Sequence, residues 1–170
     1  LLIIGAGTVA ESLIYAYSAF PDLEKITIWA RNNEKAKILI NKISKLDITI
    51  EVSNDIQLSS ANADIISTAT MAHEPILKGE WVKPGTHIDL IGAFTSDMRE
   101  ADDFLMSSGS IFVDSRATTI EHIGELTIPI SNGIISKNDI KGDFYDLIPS
   151  SKGGRKSNDE ITIFKNGGGA

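Results

Sequence analysis

The sequence predicts an α/β domain of Rossmann type, a doubly wound and mainly parallel sheet. Three observations carry that expectation. Over the first 90 residues, short apolar runs alternate with segments on a helical repeat. A glycine stretch of the form G-x-G-x-x-A, Gly5-Ala6-Gly7-Thr8-Val9-Ala10, follows the first apolar run and opens the first helical segment. A second β-rich run then arrives at the spacing of a βαβ unit.

Taken in order, Leu1-Leu2-Ile3-Ile4 is a short apolar run ended by Gly5, the pattern of a buried strand. Ala10 to Phe20 carries apolar residues at helical spacing and Pro21-Asp22 stops it. Ile26 to Trp29 is the second strand. Asn33 is the expected cap of a helix from Glu34 to about Ser44, with Ala36, Leu39, Ile40 and Ile43 on one face. Ile48 to Val52 is the third strand, Asn54 to Ala61 a short helix or loop, and Asp64 to Ser67 the fourth strand. Pro84-Gly85 turns into a fifth strand, His87 to Ile91. Ser96 to Met106 reads as helix and Ile111 to Asp114 as a sixth strand. Beyond Thr118 the pattern weakens. Ser150 to Asp159 is a polar loop, and Ile161 to Phe164 is one more strand before the run Gly167-Gly168-Gly169. Alternation of this kind implies parallel strands joined by right-handed crossovers.

Composition narrows the function classes. The 170 residues suit one domain with at most a small appendage. Aromatic residues are 6% of the chain, so aliphatic side chains must fill the core. A net charge of -7 argues against non-specific binding of nucleic acid or anionic membrane, while leaving room for a locally basic pocket. The absence of cysteine removes disulfides, thiolate catalysis and cysteine metal sites. No apolar run approaches a membrane span. The chain opens at Leu1 directly in a strand, which reads as a fragment whose upstream part is missing.

The glycine stretch is the candidate phosphate loop. Gly5 permits the tight turn, Gly7 lets backbone approach a pyrophosphate, and Ala10 is small enough for close helix–sheet packing. Thr8 and Val9 open the helix, whose free N–H groups and positive dipole end point at the phosphates. At the end of the second strand, where an acid bonds the ribose 2′-hydroxyl in NAD-specific sites, this chain has Ala30, followed by Arg31 and Asn32. Arg31 is either a planar fork for a 2′-phosphate or a solvated loop residue; the first reading favours NADP(H) over NAD(H). Thr68, Ala69 and Thr70 end the fourth strand and Gly92 and Ala93 the fifth. Ligands of open α/β sheets lie beyond such carboxyl ends, and the small residues leave room for a nicotinamide ring.

Other residues carry less. His73, His87 and His122 lack metal-ligand spacing, so no metal is expected. Asp102-Asp103 reads as favouring a helix dipole, and Trp29 and Trp81 as packing residues. No general acid or nucleophile can be named.

Several segments together resemble the ornithine cyclodeaminase/μ-crystallin family, over nearly the whole chain. They are the glycine loop, Trp29-Ala30-Arg31, Ser67 to Thr70 with Glu74-Pro75-Ile76, and Gly79 to His87. The runs from Gly92 to Asp103 and from Ser157 to Lys165 are the most specific. The resemblance implies a homodimeric, two-domain, cytoplasmic enzyme. Its Rossmann domain, here 1–150, is inserted in a substrate-binding and dimerisation domain absent from this chain. Residues 151–170 would then be a loop and strand leading back towards that domain, which would also supply a catalytic Lys and Arg. The family's reactions include ornithine cyclisation to proline, NADP(H)-dependent reduction of cyclic imino acids such as Δ1-pyrroline-2-carboxylate, alanine dehydrogenation and, in μ-crystallins, thyroid-hormone binding. NAD-recycling cyclodeaminases carry an Asp where this chain has Phe94. That departure favours reduction of a cyclic ketimine by NADPH, with the proton coming from outside this chain or from bound water. An ornithine cyclodeaminase and a non-catalytic NADP- and small-ligand-binding protein remain as alternatives. The isolated domain is expected to be inactive.

Overall fold

Among the described residues, eight parallel strands in the order β3-β2-β1-β4-β5-β8-β6-β7 form a single sheet. The computed structural model describes residues 1–43, 46–149 and 153–167. Strand β1 (Leu2–Ile4) leads into helix α1 (Thr8–Ser18), and β2 (Lys25–Trp29) into α2 (Asn33–Lys42). Next come β3 (Thr49–Val52), α3 (Ile56–Asn62), β4 (Ile65–Thr68) and β5 (His87–Leu90). Helix α4 (Asp103–Ser108) precedes β6 (Ser110–Val113). Short helices α5 (Arg116–Thr119) and α6 (Gly124–Ser131) lead to β7 (Ile140–Gly142), and α7 (Phe144–Leu147) follows it. The final strand, β8 (Thr162–Lys165), runs between β5 and β6, inside the same sheet as the elements of 1–150.

The central strands read as unbroken apolar runs because a parallel sheet is covered on both faces. Leu2, Ile3 and Ile4 are all buried, and they feed two different clusters. Ile3 packs with Ala10 and Ile14 of α1 and with Ala36 and Leu39 of α2. Leu2 and Ile4 pack with Ile66, Ile88, Leu105, Val113 and Leu126 on the other side. Ala10 is fully buried, as its place against the sheet requires.

Three sequence expectations change. The cap of α2 is Asn32, not Asn33: its side chain accepts the N–H of Glu34 at 3.0 Å and of Lys35 at 3.3 Å. Ser44, where that helix was expected to end, lies outside the described residues. The helix expected over 96–106 is confined to Asp103–Ser108, because the residues before it run extended beside 72–77. Arg99 N–H donates to the Ala72 carbonyl, and Ile76 and Leu77 N–H both donate to that of Glu100. Met98, Arg99, Glu100 and Ala101 are buried in succession, which one face of a helix could not do. Asp102 then caps α4 by accepting the Leu105 N–H at 2.8 Å. The third change is β7, in the stretch where the pattern faded. It has three residues, and α6 before it contains Pro129, which blurs the helical repeat.

Candidate functional site

Because every strand points the same way, the carboxyl ends of β1, β2, β4, β5 and β8 share one sheet edge. Ile4 pairs with Trp29 and Thr68, Thr68 with Leu90, and Leu90 with Lys165. The chain winds from β1 outward through β2 to β3 and restarts on the opposite side at β4. The switch point, where such sheets form their crevice, lies between β1 and β4.

Gly5 makes the turn out of β1. Its φ of +131° suits glycine alone, and a Cβ there would lie 2.5 Å from the Ala69 carbonyl oxygen. The close approach is fixed by two hydrogen bonds, Gly5 N–H to Trp29 O and Ala69 N–H to Ile4 O, each 2.8 Å. Gly7 differs: a Cβ there would meet nothing within 4 Å. It caps α1 with extended backbone and no side chain, so the first-turn N–H groups face out under exposed Gly7, Thr8 and Val9. Glycine at an open position is what a close-lying ligand backbone, rather than the fold, would require. A pyrophosphate fits that opening.

Beside it, Ala30, Arg31, Asn32, Lys35, Ala69 and Thr70 line a cleft of about 190 Å³. Arg31 and Lys35 are exposed, and neither forms a salt bridge among the described residues. Two cations thus stand at this mouth in a chain of net charge -7. The sequence reading missed Lys35. It lies in the first turn of α2, just past the Asn32 cap, and a cation so close to Arg31 in sequence could have revealed it. The Asn32 carbonyl-type oxygen is taken up as the α2 cap, so its side chain serves the turn.

On the far side, the expected residues divide. Thr70 and Gly92 reach the surface in part, whereas Thr68 and Ala93 are fully buried. Ala93 packs with Met98 and Ile123. Phe94 is exposed.

Behind this wall stands a group of buried charges that the sequence reading did not assign. Glu100, fully buried, accepts from Thr68 Oγ1 at 2.6 Å and Gly92 N at 2.8 Å on one oxygen. On the other it accepts from Thr70 N and Thr70 Oγ1, both at 2.7 Å. Glu125 of α6 accepts the N–H of Glu100 at 2.7 Å and of Ala101 at 2.9 Å. Burial, and then the charge of Glu100, push the Glu125 carboxyl up to about 7. Lys165 Nζ, at the end of β8, donates to the carbonyls of Leu90 (2.9 Å), Ala93 (2.7 Å) and Asn166 (2.6 Å). Burial lowers its pKa, while Glu125 and Glu100 oppose the shift. Asp89, bonded to Ser67 Oγ at 3.1 Å, is raised by burial to about 6. A signal existed in Lys165, a cation in the buried register of Ile163.

The histidines lie apart. His87 Nδ1 is 2.8 Å from Thr162 Oγ1 within the sheet, and burial lowers its pKa. His73 pairs with Asp97 on an exposed loop. Among the described residues, no group of three His, Cys, Asp or Glu is arranged to hold a metal ion, and no helix is long and apolar enough to cross a membrane.

A glycine turn on an open helix N-terminus at the switch point of a parallel sheet defines a Rossmann-type nucleotide-binding domain. Its family follows from sequence: the profile of the Ornithine cyclodeaminase/mu-crystallin family matches residues 1–170, and the chain belongs to that family. It is 52% identical over 171 residues to a Delta(1)-pyrroline-2-carboxylate reductase of Paracoccus denitrificans, covering 100% of this chain and 54% of that protein. It is 34% identical to the mouse ketimine reductase mu-crystallin, over 97% of this chain and 49% of that one. The solved Delta(1)-pyrroline-2-carboxylate reductase of Thermococcus litoralis, in complex with NADH and L-proline, superposes with a TM-score of 0.91 at 32% identity. That match covers 97% of this chain and 51% of the Thermococcus chain. The chain therefore spans about half the length of the curated relatives it matches.

Proposed function

We propose that this chain is the dinucleotide-binding part of a reductase that delivers hydride from NADPH to a cyclic imino acid of the Δ1-pyrroline-2-carboxylate type. The observation that carries the reading is the meeting, at one sheet edge, of the open Gly7 turn, the Arg31–Lys35 cleft and the Thr70–Gly92 wall, in a chain 52% identical to a Delta(1)-pyrroline-2-carboxylate reductase. Gly5, Gly7, Thr8 and Val9 would receive the pyrophosphate. Ala30, Arg31, Asn32 and Lys35 would surround the adenosine ribose. Ala69, Thr70 and Gly92 would border the nicotinamide side, with Thr68 and Ala93 supporting them from behind. When bound, the cofactor supplies the hydride. This chain's residues bind it, orient it and keep water from its buried flank.

The preference for NADPH rests on Arg31 and Lys35, since the solved relatives carry NADH, or NAD+ in the iminosuccinate reductase of Paracoccus denitrificans. Phe94, apolar and exposed beyond β5, offers no carboxylate for ornithine deprotonation, which supports reduction over cyclodeamination. The complete enzyme is read as a cytoplasmic homodimer, with the substrate carboxylate held by a Lys and an Arg outside this chain. Residues 151–170, whose strand β8 lies within the Rossmann sheet, are read as leading back towards that second domain.

Calorimetric titration with NADPH and NADH at matched salt tests the cofactor. NADPH binding at least tenfold tighter, with the preference abolished in Arg31→Ala, is expected. Equal affinities, or tighter NADH, would overturn the NADPH assignment. In the full-length enzyme, consumption of NADPH on adding Δ1-pyrroline-2-carboxylate tests the substrate, and turnover of ornithine instead would replace that assignment.

A further inference from the structure

We propose that Glu100, backed by Glu125, is a positioning residue of the crevice: it holds the ends of β4 and β5 at the separation that a bound dinucleotide requires. This rests on the cofactor reading above.

The ladder between β4 and β5 stops at Thr68 and Leu90, with one last bond from Ile91 N–H to the Thr68 carbonyl. Beyond it, nothing in the sheet fixes the distance between Thr70 and Gly92. The Glu100 carboxylate does so, because one oxygen takes the Thr70 N–H and the other the Gly92 N–H. Backbone N–H groups cannot rotate, so both oxygens must accept, and an ionised carboxylate is the side chain that accepts on both. The fit is close: a Cβ at Gly92 would collide with the Thr70 backbone and the Glu100 carboxylate. Glu125 repeats the arrangement one layer back. Its two oxygens take the N–H groups of Glu100 and Ala101 and so fix the backbone that carries the clamp. Lys165 holds the opposite polarity of the same loop, the carbonyls of Leu90 and Ala93. An apolar core would stabilise the fold as well without burying charge. What the charges add is a defined position for two backbone segments bordering the site.

The test compares NADH affinity and amide hydrogen exchange in the unmodified chain, Glu100→Gln and Ile140→Ala. Glu100→Gln sets an NH2 against a backbone N–H. It is expected to weaken NADH at least tenfold and to expose the Thr70 and Gly92 amides to exchange, while the amides of β2 and β3 stay protected. Ile140→Ala, at a buried position of the edge strand β7 away from the crevice, is expected to lower the melting temperature and leave NADH affinity within twofold. If Glu100→Gln does not fold, Thr68→Val removes one donor to the same carboxylate and is expected to weaken NADH by about threefold. NADH affinity within twofold of the unmodified chain in Glu100→Gln, or in Thr68→Val where Glu100→Gln does not fold, overturns the proposal alone. So does an equal loss in Ile140→Ala. Failure of the unmodified chain to bind either dinucleotide overturns the cofactor reading and the proposal with it.

Discussion

The two flanks of the crevice are built by opposite means. On the β1–β2 side the site is backbone and small residues: Gly5 in a left-handed turn, Gly7 open to solvent, Ala30 and a capped turn at Asn32. Every part lies within one βαβ unit. On the β4–β5 side the wall is held from behind by Glu100, Glu125 and Lys165. They come from a loop, a helix and the last strand, and Lys165 is 75 residues from the Leu90 carbonyl it binds. The first flank is shaped by what backbone conformation permits, the second by buried charges that must be mutually satisfied. On the first flank stability and binding should therefore be separable, with Gly5 and Asn32 serving the turn and Gly7 serving the ligand, whereas the second flank should lose both together.

The largest effect is expected at Lys165. Lys165→Met keeps the length and apolar stem but removes a buried ammonium, leaving the Ala93 and Asn166 carbonyls without that donor, the Leu90 carbonyl with only the Asn166 N–H, and Glu100 and Glu125 without its opposing charge. Removing a charged donor from buried acceptors costs about 1.5–3 kcal/mol per hydrogen bond lost. Urea unfolding should show that loss, and a change below about 1 kcal/mol would mean that packing alone, not charge, holds this flank. A related effect follows from pH. Glu125 titrates near 7 in the fold against 4.5 when unfolded, and Asp89 near 6 against 3.8. At these two carboxyls the native state binds more protons than the unfolded chain, so their contribution to stability falls as pH rises through that window, while His87, lowered by burial, opposes it below pH 6.5. For Glu125 the contribution is on the order of 3 kcal/mol, at about 1.4 kcal/mol per pKa unit. The urea midpoint should drop from pH 5 to pH 7.5, and Glu125→Gln should reduce the slope. A slope unchanged in that variant would assign the titration elsewhere.

The glycine turn separates stability from binding. Gly5→Ala forces a side chain into a φ of +131° and against the Ala69 carbonyl, at a cost of about 1–3 kcal/mol. Gly7→Ala meets nothing and should leave the melting temperature within about 2 °C, the effect of roughly 0.5 kcal/mol or less. Its methyl group would stand where a pyrophosphate approaches, so dinucleotide affinity should fall about tenfold, or 1.4 kcal/mol. Calorimetry and thermal melts on the two variants check the contrast. A Gly7→Ala chain that binds normally would remove the phosphate from this turn.

The same division explains what the sequence made legible. Strands β1 to β6 and the glycine loop follow from local patterns, since a buried parallel strand and a strand–turn–helix each leave a contiguous trace. The clamp leaves none. Glu100 sits in a segment whose composition reads as helix, and only its pairing with 72–77 turns it inward. Glu125 lies in a short helix with an internal proline, and β7 is too brief to show alternation. Phosphate loops are local because they use backbone. Charge networks are assembled by topology, and one sequence does not display which distant residues will meet.

The smallest effect tests whether the first flank is as local as it looks. Asn32 accepts from Glu34 and Lys35 N–H and so fixes the turn between Arg31 and Lys35. Asn32→Ala removes the cap, for about 1 kcal/mol of stability. Asn32→Asp keeps the cap and improves the helix-dipole interaction, but brings a negative charge beside the two cations of the cleft. If Asn32 acts only as a cap, the Ala variant loses stability while both dinucleotides bind slightly and equally less well, and the Asp variant regains stability. If the cleft holds a 2′-phosphate, Asn32→Asp should also weaken NADPH several-fold more than NADH. Titration of both variants with both cofactors separates the outcomes. An Asp variant that discriminates no further against NADPH would place the phosphate away from Arg31 and Lys35, and the basic mouth of this cleft would then be an ordinary solvated turn.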